Sequence, residues 1–447
     1  MKLILIQPPI EDFYYTPVRR QPLGLLYLAG IAKSKNWETL LINAHSPKKS
    51  VLALPDSFSY LTPYIENHTF PFKNYYHWGA SWQEIEKQIR ENKGELFAVS
   101  SLFTPYYQES ETVIRLIQKY HPEALIAAGG SHATLFPDYY LDTLKVNFVI
   151  AGEGEKAFSC LLDFIQTGKK EFLFYAPNLF FKEKRGYGEL FPEENLDLLP
   201  FPQRDLLKER DLFFYRKKGV SLIAGRGCPN QCSFCSSRKV FGNQYRVRSI
   251  DNIMKEIDEC VVKYQAHFFN FEDDNLFHNH SFAIDFLKIL IKYQKEKNMT
   301  FDFTAMNGIS AETLDEEILT LMKKAGFQEL NLALVTASLK TQNQLKRPFD
   351  SSHFQIIVQQ AQKIGFNLRT YFILGLPNQT KEEIQLTDSF LKKLNLKAIP
   401  SVYYDIFENN PEKWKIQRSS GFANETKYLS RKDLIVFFNL FVKEFVH

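Results

Sequence analysis

The stretch Arg226-Gly227-Cys228-Pro229-Asn230-Gln231-Cys232-Ser233-Phe234-Cys235 decides how the rest of the chain is read. The chain of 447 residues holds five cysteines, and three of them fall within these eight positions, Cys228 to Cys235. Thiolates are soft ligands that hold iron–sulfur clusters, which usually take four cysteines. Three would leave one iron of a four-iron cluster open to an outside ligand. A structural zinc site wants four ligands, and no further His or Cys stands at a suitable spacing nearby. A disulfide would leave an odd thiol and suits a secreted chain. The apolar run Val220 to Ala224 before the loop reads as a strand, so the cysteines follow a strand end.

Working outward, the same rhythm recurs. Val220–Ala224, His267–Glu272, Thr300–Thr304, Glu329–Leu334, Asn367–Leu374 and Ile399–Tyr404 are candidate strands, with helical segments such as Asp251–Tyr264 and Ser281–Lys295 between them. Six βα units make an incomplete barrel whose reactive face lies at the carboxyl ends of its strands. The first part of the chain alternates likewise. Leu3–Gln7, Glu38–Ile42, Leu96–Ser101, Ala124–Gly129 and Asn147–Ala151 read as short buried strands, with a helix over about Leu23–Lys35 and a capping box, Ser81 to Glu84, opening another. That pattern argues for a doubly wound parallel sheet with its ligand beyond the strand ends. Those ends carry Ser100-Ser101-Leu102-Phe103-Thr104-Pro105, Gly129-Gly130-Ser131-His132-Ala133 and Gly152-Glu153-Gly154-Glu155, glycine and small hydroxyl residues that let backbone approach a large ligand.

The CxxxCxxC loop resembles the cluster loop of radical S-adenosylmethionine (SAM) enzymes, and the N-terminal pattern resembles the cobalamin-binding domain that precedes it in one large class. Gln7-Pro8-Pro9, Leu23-Gly24-Leu25-Leu26 and Leu199-Pro200-Phe201-Pro202-Gln203-Arg204-Asp205-Leu206 are further matching pieces. The resemblance implies a cobalamin-binding Rossmann-like domain over residues 1–185, a linker over 186–216, a partial (β/α)6 radical SAM barrel over 217–405 and a helical extension over 406–447. It implies a [4Fe-4S] cluster on Cys228, Cys232 and Cys235. SAM contacts fall on Phe234, Glu272, Asp273, Asn307, Gly375, Leu376 and Pro377, and cobalamin contacts on Ser101, Thr104, Gly129, Gly130, Gly152, Glu153 and Gly154. Tyr403, Tyr404 and Asp405 emerge toward the substrate. The implied reaction is reductive cleavage of SAM to a 5′-deoxyadenosyl radical, with cobalamin-dependent methylation of an unactivated carbon. Ring formation, oxidation or rearrangement is the runner-up, and a catalytically inactive scaffold or regulator the alternative of another class.

Three departures qualify the match. No DxHxxG loop offers a histidine to cobalt; His45 and His132 follow strands, and a lone loop histidine is expected at the surface. Asn43 stands where the family has Asp after the second strand. Strand four reads Asn331-Leu332-Ala333-Leu334-Val335-Thr336-Ala337-Ser338 in place of Gly-Ile-Glu-Ser, with Val335 where an acid binds ribose, and Thr336 or Ser338 as substitute donors.

Composition is that of an ordinary globular protein, 45% hydrophobic and 24% charged, with a net charge of +4 that calls for no nucleic acid. The opening apolar run is too short for a signal peptide, and Leu434–Val442 contains Asn439 and cannot span a bilayer. A reducing cytoplasm, low oxygen, a small-molecule substrate and an electron donor such as flavodoxin or ferredoxin are expected. Cys160 and Cys260 lie on apolar helix stripes and read as core. The aromatic stretch Phe58 to Trp82 reads as an insertion packed on its own domain, and the apolar helix Leu434–Phe445 as a cap on the barrel.

Overall fold

The computed structural model describes residues 1–14, 20–185, 190–214, 216–418 and 420–443. The start of the expected linker (186–189), Tyr215 within it, and Phe445 at the end of the expected last helix lie outside the described residues.

The N-terminal sheet has the order β2-β1-β3-β4-β5-β6, with β1 Lys2–Gln7, β2 Glu38–Asn43, β3 Leu96–Ser100, β4 Leu125–Gly129, β5 Phe148–Ile150 and β6 Leu179–Phe180. The first five strands pair in parallel, and β6 closes the edge antiparallel to β5. Period-two alternation builds two cores from one strand: Leu3 and Leu5 pack with the helices Leu23–Ser34 and Glu155–Thr167, while Ile4 and Ile6 face Ile85, Ile89, Val113 and Ile114 on the other side. The capping box stands as expected, with Ser81 Oγ accepting from Glu84 N and Glu84 accepting from Ser81 N at the start of Trp82–Glu91.

The second sheet system holds six parallel strands: β7 Lys217–Leu222, β8 Phe268–Phe271, β9 Asp302–Thr304, β10 Glu329–Val335, β11 Asn367–Leu374 and β12 Lys397–Val402. They pair as β7-β8-β9 and β10-β11-β12, with isolated parallel bridges Phe303–Phe327 and Ile309–Leu332 between the two runs. This is the partial (β/α)6 arrangement, with β11 at its expected bounds and the other strands shifted at one or both ends by at most three residues. Phe269, Phe271, Phe303 and Phe327 stack at centroid distances of 5.4 to 6.5 Å to form its packed centre.

The linker is not slack. Gln203 N donates to Leu26 O of the first domain, and the Arg204 guanidinium, 1% exposed, donates to Ser221 O and Glu256 of the second. The aromatic insertion corrects the expectation made for it. Its segment Tyr75–Trp78 pairs antiparallel with Ile10–Asp12 and Lys49–Leu52, which lie outside it, in a small sheet. Phe58, Leu61, Phe70 and Tyr75 then bury themselves in the core of the second domain. Phe70 meets Phe422 at 5.7 Å and Phe72 meets Phe438 at 5.7 Å, so the insertion packs on the C-terminal extension. That extension also reaches back: Trp414 sits among Tyr107, His132, Phe136 and Tyr139 of the N-terminal domain. The final helix, Arg431–Lys443, lies over β11 and β12, with Phe441 against Phe372 at 4.3 Å. Cys260 is fully buried and Cys160 half-buried on its stripe. Among the described residues no helix is long and apolar enough to cross a membrane.

Candidate functional site

The strand ends of both domains face one cleft with about 1210 Å³ of space, part of it open to solvent. Its N-terminal wall is made by Gln7, Gly24, Ser100, Leu102, Gly129, Gly130, Ser131 and the Gly152–Glu155 turn; Ile223, Arg226, Val240, Phe241, Glu272 and Asp274 close it from the other domain. Gly130 at φ +107 and Gly152 at φ +64 hold turns open to glycine alone, and an added Cβ would stand 2.6 Å from Ser101 O and 2.8 Å from Val240 O respectively. Gly24 differs: it is exposed on the first turn of its helix, and a Cβ there would project into open space on the cleft wall. The cleft thus has a bare wall for a large flat ligand.

The expected cobalamin residues divide. Gly129, Gly130, Gly152, Glu153 and Gly154 line the cleft. Ser101 does not: it is buried, hydrogen-bonded to Tyr140 and Ser110, and its neighbour Ser100 takes the lining position. Thr104 also turns inward, its Oγ1 3.1 Å from His132 Nδ1. Both histidines expected at the surface are buried instead, His45 at 1% and His132 at 0% exposure. Burial drives the His132 pKa down to about 3, and the rings of Tyr107, Phe136, Tyr140 and Trp414 enclose it. Glu153 lines the cleft but its carboxylate is engaged by Arg226, Arg246 and Glu193 N.

The cysteine loop leaves β7 at the same face. Gly225–Arg226 pairs antiparallel with Arg246–Val247, and Gly227 at φ +83 turns the chain into Cys228. Ser233 N donates to Leu345 O, which ties the loop to the segment after β10. Burial raises the thiol pKa of Cys228, and crowding by protein atoms raises that of Cys235 to about 11 although the residue keeps an exposed flank. Among the described residues no group of three His, Cys, Asp or Glu side chains is gathered for a metal ion. The donor set itself is three free thiols on a single loop, which suits a cluster that draws them in as thiolates and releases their protons. Phe234 packs with Val335, Leu345, Leu376, Ile373 and Tyr403 as one apolar patch beside them.

The acidic run Glu272-Asp273-Asp274 after β8 divides, and Asp273, expected at SAM, turns away from the cleft. Asp273 is 4% exposed, and accepts from Ala224 N at 3.0 Å and Gly225 N at 2.5 Å. Burial lifts its pKa to about 7 against those two donors. It braces the root of the cysteine loop and is absent from the cleft. Glu272, held by Ser221 Oγ at 2.6 Å, and Asp274, held by Ser237 Oγ at 2.7 Å, are the two that line it. Asn307 donates to Glu272 O at 2.9 Å. Gly375, at φ +77, and Leu376 present their N–H groups to Gln379 Oε1, whose Nε2 donates to Ile373 O; buried Gln379 therefore shapes the Gly375-Leu376-Pro377 turn. Thr336 and Ser338 do not replace the missing acid. Both are buried, with Thr336 Oγ1 3.3 Å from Thr387 and Ser338 donating to Glu383, so they face the helix Lys381–Lys393. Asp405 Oδ1 accepts from Phe407 N and shapes its own turn, and Asn424 donates to Tyr403 O.

Comparison with known families falls on the two halves of this cleft: the B12 binding domain model matches residues 18–162 and the radical SAM superfamily model residues 222–391. The chain joins a B12-binding domain to a radical SAM domain. An uncharacterized methyltransferase of Pyrococcus horikoshii is 26% identical over 89% of this chain and 79% of its own length. The cytidylyl-2-hydroxyethylphosphonate methyltransferase of Streptomyces wedmorensis is 22% identical over 84% of this chain and 73% of its own. Among solved structures, the radical SAM methyltransferase TsrM from Kitasatospora setae superposes with a TM-score of 0.66 at 14% identity, covering 90% of this chain and 73% of that one. A radical SAM domain carries a [4Fe-4S] cluster and SAM, and a B12-binding domain carries cobalamin; the chain is an enzyme with these three cofactors.

Proposed function

We propose that the enzyme methylates an unactivated carbon of a small molecule, with Cys228, Cys232 and Cys235 holding the cluster. The observation that carries this is the single cleft walled by both domains. The glycine turns of the B12-binding domain and the Glu272 and Asp274 carboxylates beside the cysteine loop open onto the same space. When bound, the reduced cluster supplies the electron that splits SAM, and cobalamin carries the methyl group.

Around them, the residues of this chain bind and orient. Glu272 and Asp274 offer carboxylates to the SAM ammonium through charge-assisted hydrogen bonds. The backbone turn at Gly375–Pro377 and the ring of Phe234 would bracket the adenine, and Asn307, after β9, would contact the SAM carboxylate or ribose. Gly24, Gly129, Gly130, Gly152 and Gly154 admit the corrin ring. Tyr403 and Tyr404 at the end of β12 face the substrate. An electron donor such as flavodoxin or ferredoxin approaches the exposed flank of Cys235, beside the exposed cations Arg238 and Lys239.

The test is anaerobic reconstitution with iron, sulfide and hydroxocobalamin, followed by turnover with SAM and extracts of the source cells. Methylation predicts both 5′-deoxyadenosine and S-adenosylhomocysteine, with a product heavier by one methylene. Deoxyadenosine without S-adenosylhomocysteine selects a non-methylating radical reaction. Neither product from a fully loaded cluster selects the inactive scaffold.

A further inference from the structure

Glu155 stands on the cleft wall between the B12-binding domain and the root of the cysteine loop. It follows Gly154 at the start of the helix Glu155–Thr167, is 6% exposed, and lines the cleft. Its Oε1 accepts from Arg226 Nη2 at 2.6 Å. Its Oε2 is buried and has no hydrogen-bond partner. A buried carboxylate oxygen without a donor is costly, and native structures rarely leave one so. Burial works against the charge of Glu155, but Arg226 outweighs it and holds the carboxyl below its ordinary pKa, so the oxygen is an acceptor only. A ligand that completes it must bring an N–H or O–H donor, and the rim of a corrin ring carries carboxamide groups.

The other end of the contact is fixed to the cluster loop. Arg226 lies two residues before Cys228, donates to Glu153 at 3.1 Å as well as to Glu155, and rests over the Tyr27 ring at 5.2 Å. Arg246, the strand partner of Arg226, grips the same Glu153 and also donates to Phe241 O at 2.9 Å. The Gly152 turn abuts Val240 of the short helix after Cys235. The turn edging one cofactor's cleft is therefore welded to the loop bearing the other's ligands by a buried carboxylate–guanidinium lattice with little room to yield.

We propose that Glu155 is a corrinoid-binding residue whose free oxygen accepts a hydrogen bond from a corrin carboxamide, and that through Arg226 it links corrinoid binding to the ordering of the cluster loop. The proposal rests on the reading of the cleft as the corrinoid site. Linkage is reciprocal: if the cluster loop, once loaded, fixes Arg226 and Glu155, then the corrinoid binds more tightly to the loaded protein, and the cluster is retained better in the presence of corrinoid.

The experiment measures cob(II)alamin binding to the full chain by equilibrium dialysis and by its absorbance, with and without a reconstituted cluster. The unmutated protein is expected to bind corrinoid about five- to tenfold tighter when cluster-loaded, in the usual range for coupled sites. Glu155→Ala is expected to bind about tenfold more weakly, as for a lost hydrogen bond to a charged group, and to show the same affinity with and without cluster. Arg226→Lys keeps a cation beside the Glu155 carboxylate but loses the planar fork that joins it to Glu153, and so severs the link. It is expected to retain most of the cluster-free affinity and lose the cluster-dependent gain. Glu155→Gln, which preserves shape, guards against misfolding of the alanine variant and should still lose part of the coupling. Corrinoid binding with no dependence on the cluster overturns the link, as does coupling that survives in Glu155→Ala. No corrinoid binding by the unmutated protein overturns the cleft assignment and the proposal together, and is told apart by that first measurement alone.

Discussion

Gly227→Ala tests whether the cysteine loop is placed by the backbone turn at its root. Gly227 has φ +83, and a Cβ built there lies 2.2 Å from Gln244 O and 3.3 Å from Gln244 C. Ordinary contact begins near 3.4 Å, so the shortfall against the carbonyl oxygen is 3.4 − 2.2 = 1.2 Å. The carbonyl has little freedom to retreat. Residues on both sides are held by the Gly225–Arg226 to Arg246–Val247 pairing, by Arg246 in the grip of Glu153, and by Tyr245 Oη on Leu276 O at 3.0 Å. Left-handed backbone alone costs a non-glycine residue about 1–2 kcal/mol; relieving the clash moves the loop by roughly the shortfall, about 1 Å, a displacement large against the tolerance of a metal site. Gly168→Ala supplies the comparison. Gly168 also has positive φ, +72, at the end of the helix Glu155–Thr167, but nothing lies within 4 Å of its added Cβ. Iron and acid-labile sulfide per chain, read with the visible absorbance after anaerobic reconstitution, should fall sharply in Gly227→Ala. They should stay at the unmutated level in Gly168→Ala, which loses only about 1 kcal/mol in urea unfolding. Equal iron loading in both variants would refute the steric argument.

Cys232→Ala should abolish the brown cluster absorbance, whereas Cys160→Ala, on a half-buried stripe of the first domain, should leave it intact. Burial lifts the carboxyl of Glu109 to about 7 against the pull of Arg418. The folded chain therefore holds a proton there that the unfolded chain releases above its ordinary value near 4.5. The stabilisation is whole below about pH 4.5, declines as the pH rises and is gone above about 7, worth up to about 3 kcal/mol; Glu109→Gln should flatten that slope in urea titrations at successive pH. Gln379→Leu removes the acceptor of Gly375 N and Leu376 N and the donor to Ile373 O. At about 1 kcal/mol for each bond, SAM binding by calorimetry should weaken tenfold or more while the cluster still loads.

What the sequence made legible is what short-range chemistry governs. The cysteine spacing, the strand rhythm of both domains, the capping box at Ser81 and the glycine turns at Gly130, Gly152 and Gly375 all rest on contacts within a few residues. What it hid depends on which way a side chain turns once the strand has ended. Period-two alternation runs on past the ends of β3 and β8, but which parity faces the cleft is decided by the packing of the sheet, so Ser100 and Asp274 line it where Ser101 and Asp273 are equally open to a local reading. The contact of Trp414 with His132 and the docking of Phe70 on Phe422 join segments hundreds of residues apart. No local pattern in the aromatic insertion names Phe422 and Phe438 as its partners, because an apolar face reads the same whichever core covers it.

Strand four shows the same limit at the site itself. Replacement of the expected acid by Val335 reads in sequence as the loss of one hydrogen bond to ribose. In the fold it is a different backbone. Val335 has φ +69, a conformation that β-branched residues rarely adopt, and the register against β11 slips between Ala333 and Val335. Gln342, fully buried, donates through Nε2 to Leu334 O and Thr336 O, both at 2.6 Å, and so braces the carbonyls on either side of the bend. Such strain, about 1–3 kcal/mol, persists only where its surroundings over-determine it. The bend sets the Val335 side chain, 6% exposed, in the apolar patch with Phe234, Leu376 and Tyr403. Val335→Glu should therefore not restore a ribose contact. It would bury a carboxylate among apolar side chains, which costs several kcal/mol or forces the group to stay protonated. Weaker SAM binding with an unchanged iron content is the expected outcome of calorimetry on the reconstituted variant. Tighter SAM binding would show that the acid's place in the pocket is still open, and that Val335 is a simple substitution after all.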